Sequence, residues 1–562
     1  MYSDKKSVLQ LVAVLRAQGV RRVVLCPGSR NVPLVQSFSA CRDFECFSVT
    51  DERSAGFFAI GLALHRHEPV AVCCTSGSAL LNLHPAVCEA FYRQLPLIVV
   101  SADRPAAWIG QMDGQTLPQP GVFGTMVRSS VTLPEVHTEE DEWYANRLVN
   151  EAVLEAAHHG CGPVHINVPL SEPLFHFPVK QLPEVRCMRR LDMSDGGTAL
   201  TGFLKEQLPR YSRVMVVTGQ MPAGEAAAVA ACLPAGKAVW LTEVLGNMPG
   251  SSPAIRGFDA LLGAVGEEER QALSPDLVVT MGGHIVSKRL KHFLRAVPSL
   301  VHWHVAPDGR PADLFGALTT VAEASPLQFA RLFSQAGGCL SETYPERWQA
   351  CAARVPDMQA PYSALHAVRR VMESLPPRCV LHLANSSAVR LAGLFPLPEG
   401  AEVHGNRGVN GIEGSVSAAV GYAAVSDRLN FLLTGDLSFF YDMNALWNAH
   451  VPARLRIVLL NNGGGAIFHT LPGLDTRGRT GRFVTAVHDT SARGWAESLG
   501  WTYRMAADED ALSEALDELT DAGASAPVLL EVRTDAVTDA AVWRDFYNRM
   551  KEDFRRPDTE DR

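Results

Sequence analysis

The sequence has no Cys-x-x-Cys pair, although it holds 12 cysteines among 562 residues. The usual zinc-ribbon and dithiol-redox spacings are therefore missing. Three close histidine pairs, His65/His67, His158/His159 and His302/His304, join no cysteine or carboxylate cluster, so zinc is not expected at them. No run reaches the ~18 apolar residues that a membrane span needs. Charged residues are 20% of the chain and their balance is −9, which leaves no basic surplus for general nucleic-acid binding. The opening Met1–Lys6 leads into an amphipathic helix ending near Gly19, not into a signal peptide. Cys26, Cys73 and Cys74 fall inside apolar strands and read as buried reduced thiols, so a cytoplasmic setting is expected. Short repeats and low-complexity segments are absent. No Gly-x-Gly-x-x-Gly follows the first strand; Pro27-Gly28-Ser29-Arg30 stands there, against a nucleotide-binding Rossmann protein.

What is present is a soluble-enzyme composition, 47% hydrophobic, in a chain long enough for about three or four domains. Short apolar strands alternate with helical stretches, the mark of βαβ units and parallel sheets. In residues 1–180 the strands read as Val23–Cys26, Phe47–Val49, Val70–Cys74, Leu97–Val100 and Val164–Pro169, with one helix from about Ala79 to Tyr92. Residues 181–195 look like a linker. A second α/β unit covers 196–345, with strands at Arg213–Val217, Ala238–Leu241 and Asp276–Thr280; Gly282-Gly283 then precedes a helix carrying Lys288 and Arg289. A boundary near Pro356–Pro361 opens a third unit, 362–550, and the charged tail from Arg555 is expected to fray. The fold class is thus α/β, with three open parallel-sheet domains.

The third unit carries the organising pattern. Asn430–Thr434 is a buried strand that ends at Gly435-Asp436-Leu437. A helix follows, then a second strand, Leu455–Leu460, that ends at Asn461-Asn462. Asp436 and Asn462 therefore stand at the carboxyl ends of two parallel strands, where open α/β sheets bind ligands. Carboxylate, amide and carbonyl oxygens are hard donors that suit Mg²⁺ held together with a phosphate-bearing partner. On these residues alone, a tight turn with a capping Asp in a non-catalytic binding protein also fits.

Motifs along nearly the whole length narrow the reading. They are Pro27-Gly28-Ser29-Arg30, Asp51-Glu52-Arg53, Thr75-Ser76-Gly77-Ser78, Ala102-Asp103-Arg104-Pro105, Gln119-Pro120-Gly121, Ser287-Lys288-Arg289, Asn385-Ser386, Asn406-Arg407-Gly408, Gly411-Ile412, Gly435-Asp436-Leu437-Ser438 and Asn461 to Phe468. In their order they resemble the thiamine diphosphate-dependent decarboxylase-like family, and within it the branch that joins 2-oxoglutarate to isochorismate with loss of CO₂ in menaquinone biosynthesis. Leu437 departs from the glycine usual in the broad family and fits that branch.

The resemblance implies a pyrimidine-binding, a central and a diphosphate-binding domain, in that order. It implies thiamine diphosphate with Mg²⁺, or Mn²⁺ in its place, and a homodimer at least, commonly a homotetramer, whose sites combine two subunits. It makes Glu52 the catalytic carboxylate that bonds the aminopyrimidine, where the plain alternative is a charge in the first turn of a helix worth at most ~1 kcal/mol. It assigns cofactor contacts to Ser386, Gly435, Asp436, Leu437, Ser438, Asn462 and Ile467. Ile412 becomes the apolar wedge between the cofactor rings, and the metal set is Asp436, Asn462 and the Gly464 carbonyl. Substrate contacts fall on Ser29, Arg30, Arg104, Gln115, Lys288, Arg289, Arg390, Arg407 and Phe468. Both implied substrates carry two carboxylates, and a charge-assisted hydrogen bond nets roughly 1.5–3 kcal/mol, so these cations suit them. Arg30, Arg390 and Arg407 are expected at strand ends facing the cofactor. Other thiamine diphosphate enzymes, acetohydroxyacid synthases or 2-oxoacid decarboxylases, remain the nearest alternative.

Overall fold

In the computed structural model three wholly parallel sheets follow one another along the chain. The structure describes residues 1–188, 197–233, 238–310, 312–336, 341, 343–355, 359–470, 473–476 and 478–555. The far end of the expected linker, 189–195, the expected start of the second unit at 196, the boundary at 356–358 and the tail beyond 555 lie outside them.

The first sheet contains β1 (Arg22–Leu25), β2 (Glu45–Ser48), β3 (Val70–Cys74), β4 (Leu97–Asp103), β5 (Ser129–Thr132) and β6 (Val164–Pro169), in the order β2-β1-β3-β4-β6-β5. The second has β7 (Val214–Thr218), β8 (Val239–Thr242), β9 (Leu277–Met281), β10 (Val301–Val305) and β11 (Leu318–Ala322), ordered β11-β10-β9-β7-β8. The third has β12 (Val380–Leu383), β13 (Glu402–Gly405), β14 (Asn430–Gly435), β15 (Leu455–Asn461), β16 (Thr502–Ala506) and β17 (Val528–Arg533), ordered β13-β12-β14-β15-β17-β16. The first and third sheets thus share one topology. In each, the chain leaves two neighbouring strands in opposite directions: β1 and β3 in the first, β12 and β14 in the third. A crevice opens at the carboxyl ends of such a pair.

The like sheets are joined by helices buried on nearly every side. Helix α1 (Glu52–Arg66) and helix α3 (Ser415–Ala423) pack into one core with residues of both sheets; helix α2 (His84–Tyr92) lies beside them. The α1–α3 crossing is backbone to backbone. A Cβ on Gly61 would stand 2.2 Å from the Ala418 carbonyl oxygen, and one on Gly421 would stand 2.2 Å from that of Phe58. Gly61→Ala is therefore expected to lower the thermal midpoint. Overpacking costs ~1–3 kcal/mol, more than the ~1 kcal/mol of helix propensity alanine regains. Thermal unfolding followed by circular dichroism checks this.

The single helix expected over Ala79–Tyr92 is two, Ser78–Asn82 and α2, meeting at Leu83. Pro85 cannot donate into a preceding turn, so the helix restarts with proline in its first turn. Glu89 of α2 is 1% exposed and accepts from Gly408 N and Val409 N, each at 3.1 Å. A first-unit carboxylate thus holds the third-unit loop that follows β13 and carries Arg407.

Candidate active site

The third-sheet crevice opens on a cavity of about 650 Å³. Its wall takes in the ends of β12, β14 and β15, the segment 286–289 of the second unit and the C-terminal helix α4 (Ala536–Arg555).

Asp436 begins a helix directly after β14, with Gly435 as its cap residue. The residue is 3% exposed. Oδ1 accepts from Leu437 N at 2.7 Å and Oδ2 from Gly464 N at 2.9 Å, while His488 Nε2 lies 3.5 Å from Oδ2. Burial raises its pKa, and the amide bonds pull the other way. The two asparagines that follow β15 divide their work. Asn461, wholly buried, donates to Thr490 O and Glu531 Oε1, so it ties the sheet. Asn462 lines the cavity; its Nδ2 donates to Asp539 Oδ2 at 3.0 Å, which leaves Oδ1 as its open atom. Gly464 sits at φ +148°, and a Cβ there would meet the Thr485 carbonyl oxygen at 2.7 Å. Only glycine lets this carbonyl-bearing turn close onto Asp436. One buried carboxylate, one free amide oxygen and a glycine turn form a hard-oxygen donor set that fits a magnesium-sized ion.

The loops around this corner are pinned to one another. Ser386 has φ +70°, an uncommon value for a residue with a side chain. Asn385 donates to Asn406 O at 2.6 Å and Gly411 O at 2.7 Å and accepts from Arg407 Nη1 at 2.6 Å. Ser438 Oγ donates to Ile412 O at 2.6 Å, so the loop carrying Ile412 is fixed to the Asp436 turn. Ile412 stays 39% exposed and lines the cavity.

The cations Lys288, Arg289 and Arg390 line the same cavity. Arg390 Nη1 donates to Ser386 O at 2.6 Å and, like Lys288, makes no ion pair among the described residues. Burial lowers its pKa, and Asp259 and Glu243 oppose that. Arg289 is already compensated: Nη1 is 2.5 Å from Asp259 Oδ2 and 3.0 Å from Tyr547 Oη, and its guanidinium lies 4.0 Å from the centre of the Tyr547 ring.

Of the residues singled out in the sequence, this cavity brings together Ser386, Ile412, Gly435, Asp436, Leu437, Ser438, Asn462, Gly464, Ile467, Phe468, Lys288, Arg289 and Arg390. Arg407 was expected to face it and is not among the residues that line it. It is 6% exposed, bonded to Asn385, with its pKa lowered to about 10 by burial and by Arg390. Ser29, Arg30, Arg104, Gln115 and Glu52 belong to the first unit and do not line the cavity of their own chain. Arg30 donates to Leu170 O and pairs with Glu172 at 3.1 Å; burial and the neighbouring Arg104 lower its pKa. Arg104 pairs with Asp113 at 3.2 Å. Glu52 is half-buried at the first position of α1. Asp51, not Glu52, caps that helix by accepting from Ser54 N, so capping does not occupy the Glu52 carboxylate. Its one hydrogen bond among the described residues is a long 3.4 Å contact from Asn82 Nδ2.

Four cavity-wall or supporting residues were not foreseen: Glu243, Asp259, Asp539 and Tyr547. Glu243 directly follows β8. The rule that strand exits carry function could have found it. The other three meet the site only through tertiary packing.

With this geometry in place, comparison with known proteins is informative. The family profile described as "Thiamine pyrophosphate enzyme, N-terminal TPP binding domain" matches residues 7–122, and "Thiamine pyrophosphate enzyme, C-terminal TPP binding domain" matches 386–532. The 2-succinyl-5-enolpyruvyl-6-hydroxy-3-cyclohexene-1-carboxylate synthase of Bacteroides fragilis is 54% identical over 98% of this chain and 100% of its own. Its namesake in Bacteroides thetaiotaomicron is 53% identical over the same shares, and that of Porphyromonas gingivalis 38% over 97% of each. Among solved structures, benzoylformate decarboxylase from Polynucleobacter necessarius superposes with a TM-score of 0.71 over 95% of this chain and 99% of that one, at 17% identity, a likeness of fold. The chain belongs to the thiamine pyrophosphate enzymes and, within them, to the 2-succinyl-5-enolpyruvyl-6-hydroxy-3-cyclohexene-1-carboxylate synthase family.

Proposed function

We propose that this protein decarboxylates 2-oxoglutarate and joins the remaining four-carbon unit to isochorismate, using thiamine diphosphate and Mg²⁺. One observation carries the reading: a single cavity is lined both by hard oxygen donors and by the cations Lys288, Arg289 and Arg390. Asp436, the open Oδ1 of Asn462 and the Gly464 turn would hold the metal and through it a diphosphate, with Mn²⁺ an acceptable substitute for such donors. When bound, thiamine diphosphate supplies the electron sink for loss of CO₂ from a 2-oxoacid. Ile412, fixed by Ser438, presents an apolar face in the cavity that shapes a bound ring system. Lys288 and Arg390 bind and orient substrate carboxylates. Phe468 and Ile467 add apolar surface to the same cavity.

Glu52 would hold a proton against the ring nitrogen of the aminopyrimidine. It stands outside the cavity of its own chain, so a second copy must bring it there. The reading therefore includes a homodimer at least, and a homotetramer is compatible with it. The same copy would bring Ser29, Arg30, Arg104 and Gln115. The described cysteines form no disulfide, which suits a reducing cytoplasm, and no described helix is long and apolar enough to cross a membrane.

Purified protein given 2-oxoglutarate, isochorismate, thiamine diphosphate and Mg²⁺ should yield, by mass spectrometry, the adduct of the two substrates less CO₂. Turnover of pyruvate in preference to 2-oxoglutarate would overturn the reading in favour of another carboligase or decarboxylase of the same cofactor. Arg390→Ala is expected to raise the KM for one dicarboxylate by ~10–100-fold, the value of one charge-assisted hydrogen bond. Initial rates over a substrate range check it.

A further inference from the structure

The segment that delivers Lys288 and Arg289 is held by two carboxylates, and neither belongs to the machinery described above. Glu243, half-buried in the cavity wall, accepts from Val286 N and Ser287 N, both at 2.6 Å. Asp259 accepts from the Ser287 hydroxyl and from Arg289 Nη1. Ser287 in turn caps the helix Lys288–Arg295 by accepting from Leu290 N at 3.0 Å. The Val286 and Ser287 amides, the Ser287 hydroxyl and the Arg289 guanidinium are thus each held by an acid of the second unit, whereas the Lys288 ammonium is not. That ammonium is exposed into the cavity and makes no ion pair among the described residues.

Deepening the reading given above, and resting on it, we propose that Glu243 is a positioning residue: its carboxylate fixes the Val286–Ser287 turn so that Lys288 meets one carboxylate of a dicarboxylate substrate. A turn that only needed capping could take a neutral acceptor. An acid in this wall comes at a cost: burial pushes Glu243 up to about 7, against the two amide bonds and Arg407, with Asp259 adding to the rise. The charge earns its place by making the two shortest backbone bonds to this segment. It also stands among the cations Arg390 and Lys291, whose own pKa values burial lowers and Glu243 supports.

The test is a double-mutant cycle on the full-length protein with 2-oxoglutarate and isochorismate as probes. Glu243→Gln sets an amide N–H against an amide N–H and must shift the turn. It is expected to raise the KM for one of the two substrates by ~10-fold or more, as loss of a charge-assisted contact does, with kcat changed by less than about threefold. Lys288→Ala should raise the KM for that same substrate. The double variant should be no worse than Lys288→Ala alone, because a positioning residue has nothing left to position. Effects that multiply, or a loss confined to kcat, would overturn the proposal. Thermal stabilisation by thiamine diphosphate and Mg²⁺ verifies that each variant is folded. If Glu243→Gln is not, Asp259→Asn loosens the same turn through Ser287 and carries the same expectations. Wild-type protein runs in parallel: an inactive wild type refutes the proposed reaction, whereas an active wild type with an additive cycle refutes only the role of Glu243.

Discussion

Asp436→Asn is expected to abolish the stabilisation that thiamine diphosphate and Mg²⁺ confer, and to lower turnover by at least ~10³-fold, since a Lewis-acid metal contributes several kcal/mol. The substitution keeps the side-chain shape and one acceptor but removes the charge. Among the described residues Asp436 is the carboxylate bonded to the Gly464 turn, whereas Asp539 accepts from Asn462, Thr534 and Ala364 N. Without that charge only a neutral amide oxygen and a backbone carbonyl remain for a divalent cation. In wild type, ligand at 100 times its Kd should add about 2.7 kcal/mol to the unfolding free energy. The variant should show almost none of this. Its ligand-free form should lose about 1–3 kcal/mol, because the Asn amide sets an N–H against Leu437 N or Gly464 N, each of which now donates to the carboxylate. Differential scanning fluorimetry with and without both ligands reads the two effects together. A variant that kept the ligand-induced shift would remove Asp436 from metal binding.

The way this corner is built explains which parts of it could be read from the chain alone. Strand exits were legible because apolar runs are short and their last polar residues stand out. Asp436 and Asn462 follow such runs, and the structure collects them at one crevice, together with Ser386, which only the family resemblance points to. Other features depend on contacts that no local pattern encodes. Asn461 and Asn462 are identical in sequence terms. Only the partners at β17 and α4, Glu531 and Asp539, decide which of them faces the cavity. Arg407 follows β13 as the strand-exit rule requires, yet it is buried against Asn385 and does not line the cavity. Arg289 is neutralised by Asp259 and Tyr547, which lie 30 and 258 positions away. The break at Leu83 was readable from Pro85, since proline in a first turn starts helices.

Glu52→Gln should reduce turnover by ~10²–10⁴-fold, the usual value of a positioned general acid–base group, while leaving most of the ligand-induced thermal shift. The asymmetry follows from where the side chain stands. Glu52 lies in the first unit, at the start of α1, and contributes nothing to the wall that holds Asp436 and Asn462. A variant there should bind metal and diphosphate much as wild type does. The same separation makes the subunit arrangement testable without a structure of the assembly. Glu52→Gln and Asp436→Asn chains, each nearly inactive alone, can be mixed, unfolded and refolded together. If each site joins Glu52 of one copy to Asp436 of another, half the dimers formed at random are mixed, and each holds one site with both residues intact. Activity should then return to about a quarter of wild type, as the two-fold symmetry of a dimer dictates. If both residues served the site of their own chain, no mixed dimer would hold an intact site and the mixture would stay inactive. Recovery therefore tests two things at once: that the carboxylate acts on the far end of a shared ligand, and that the second copy is a working part of the site.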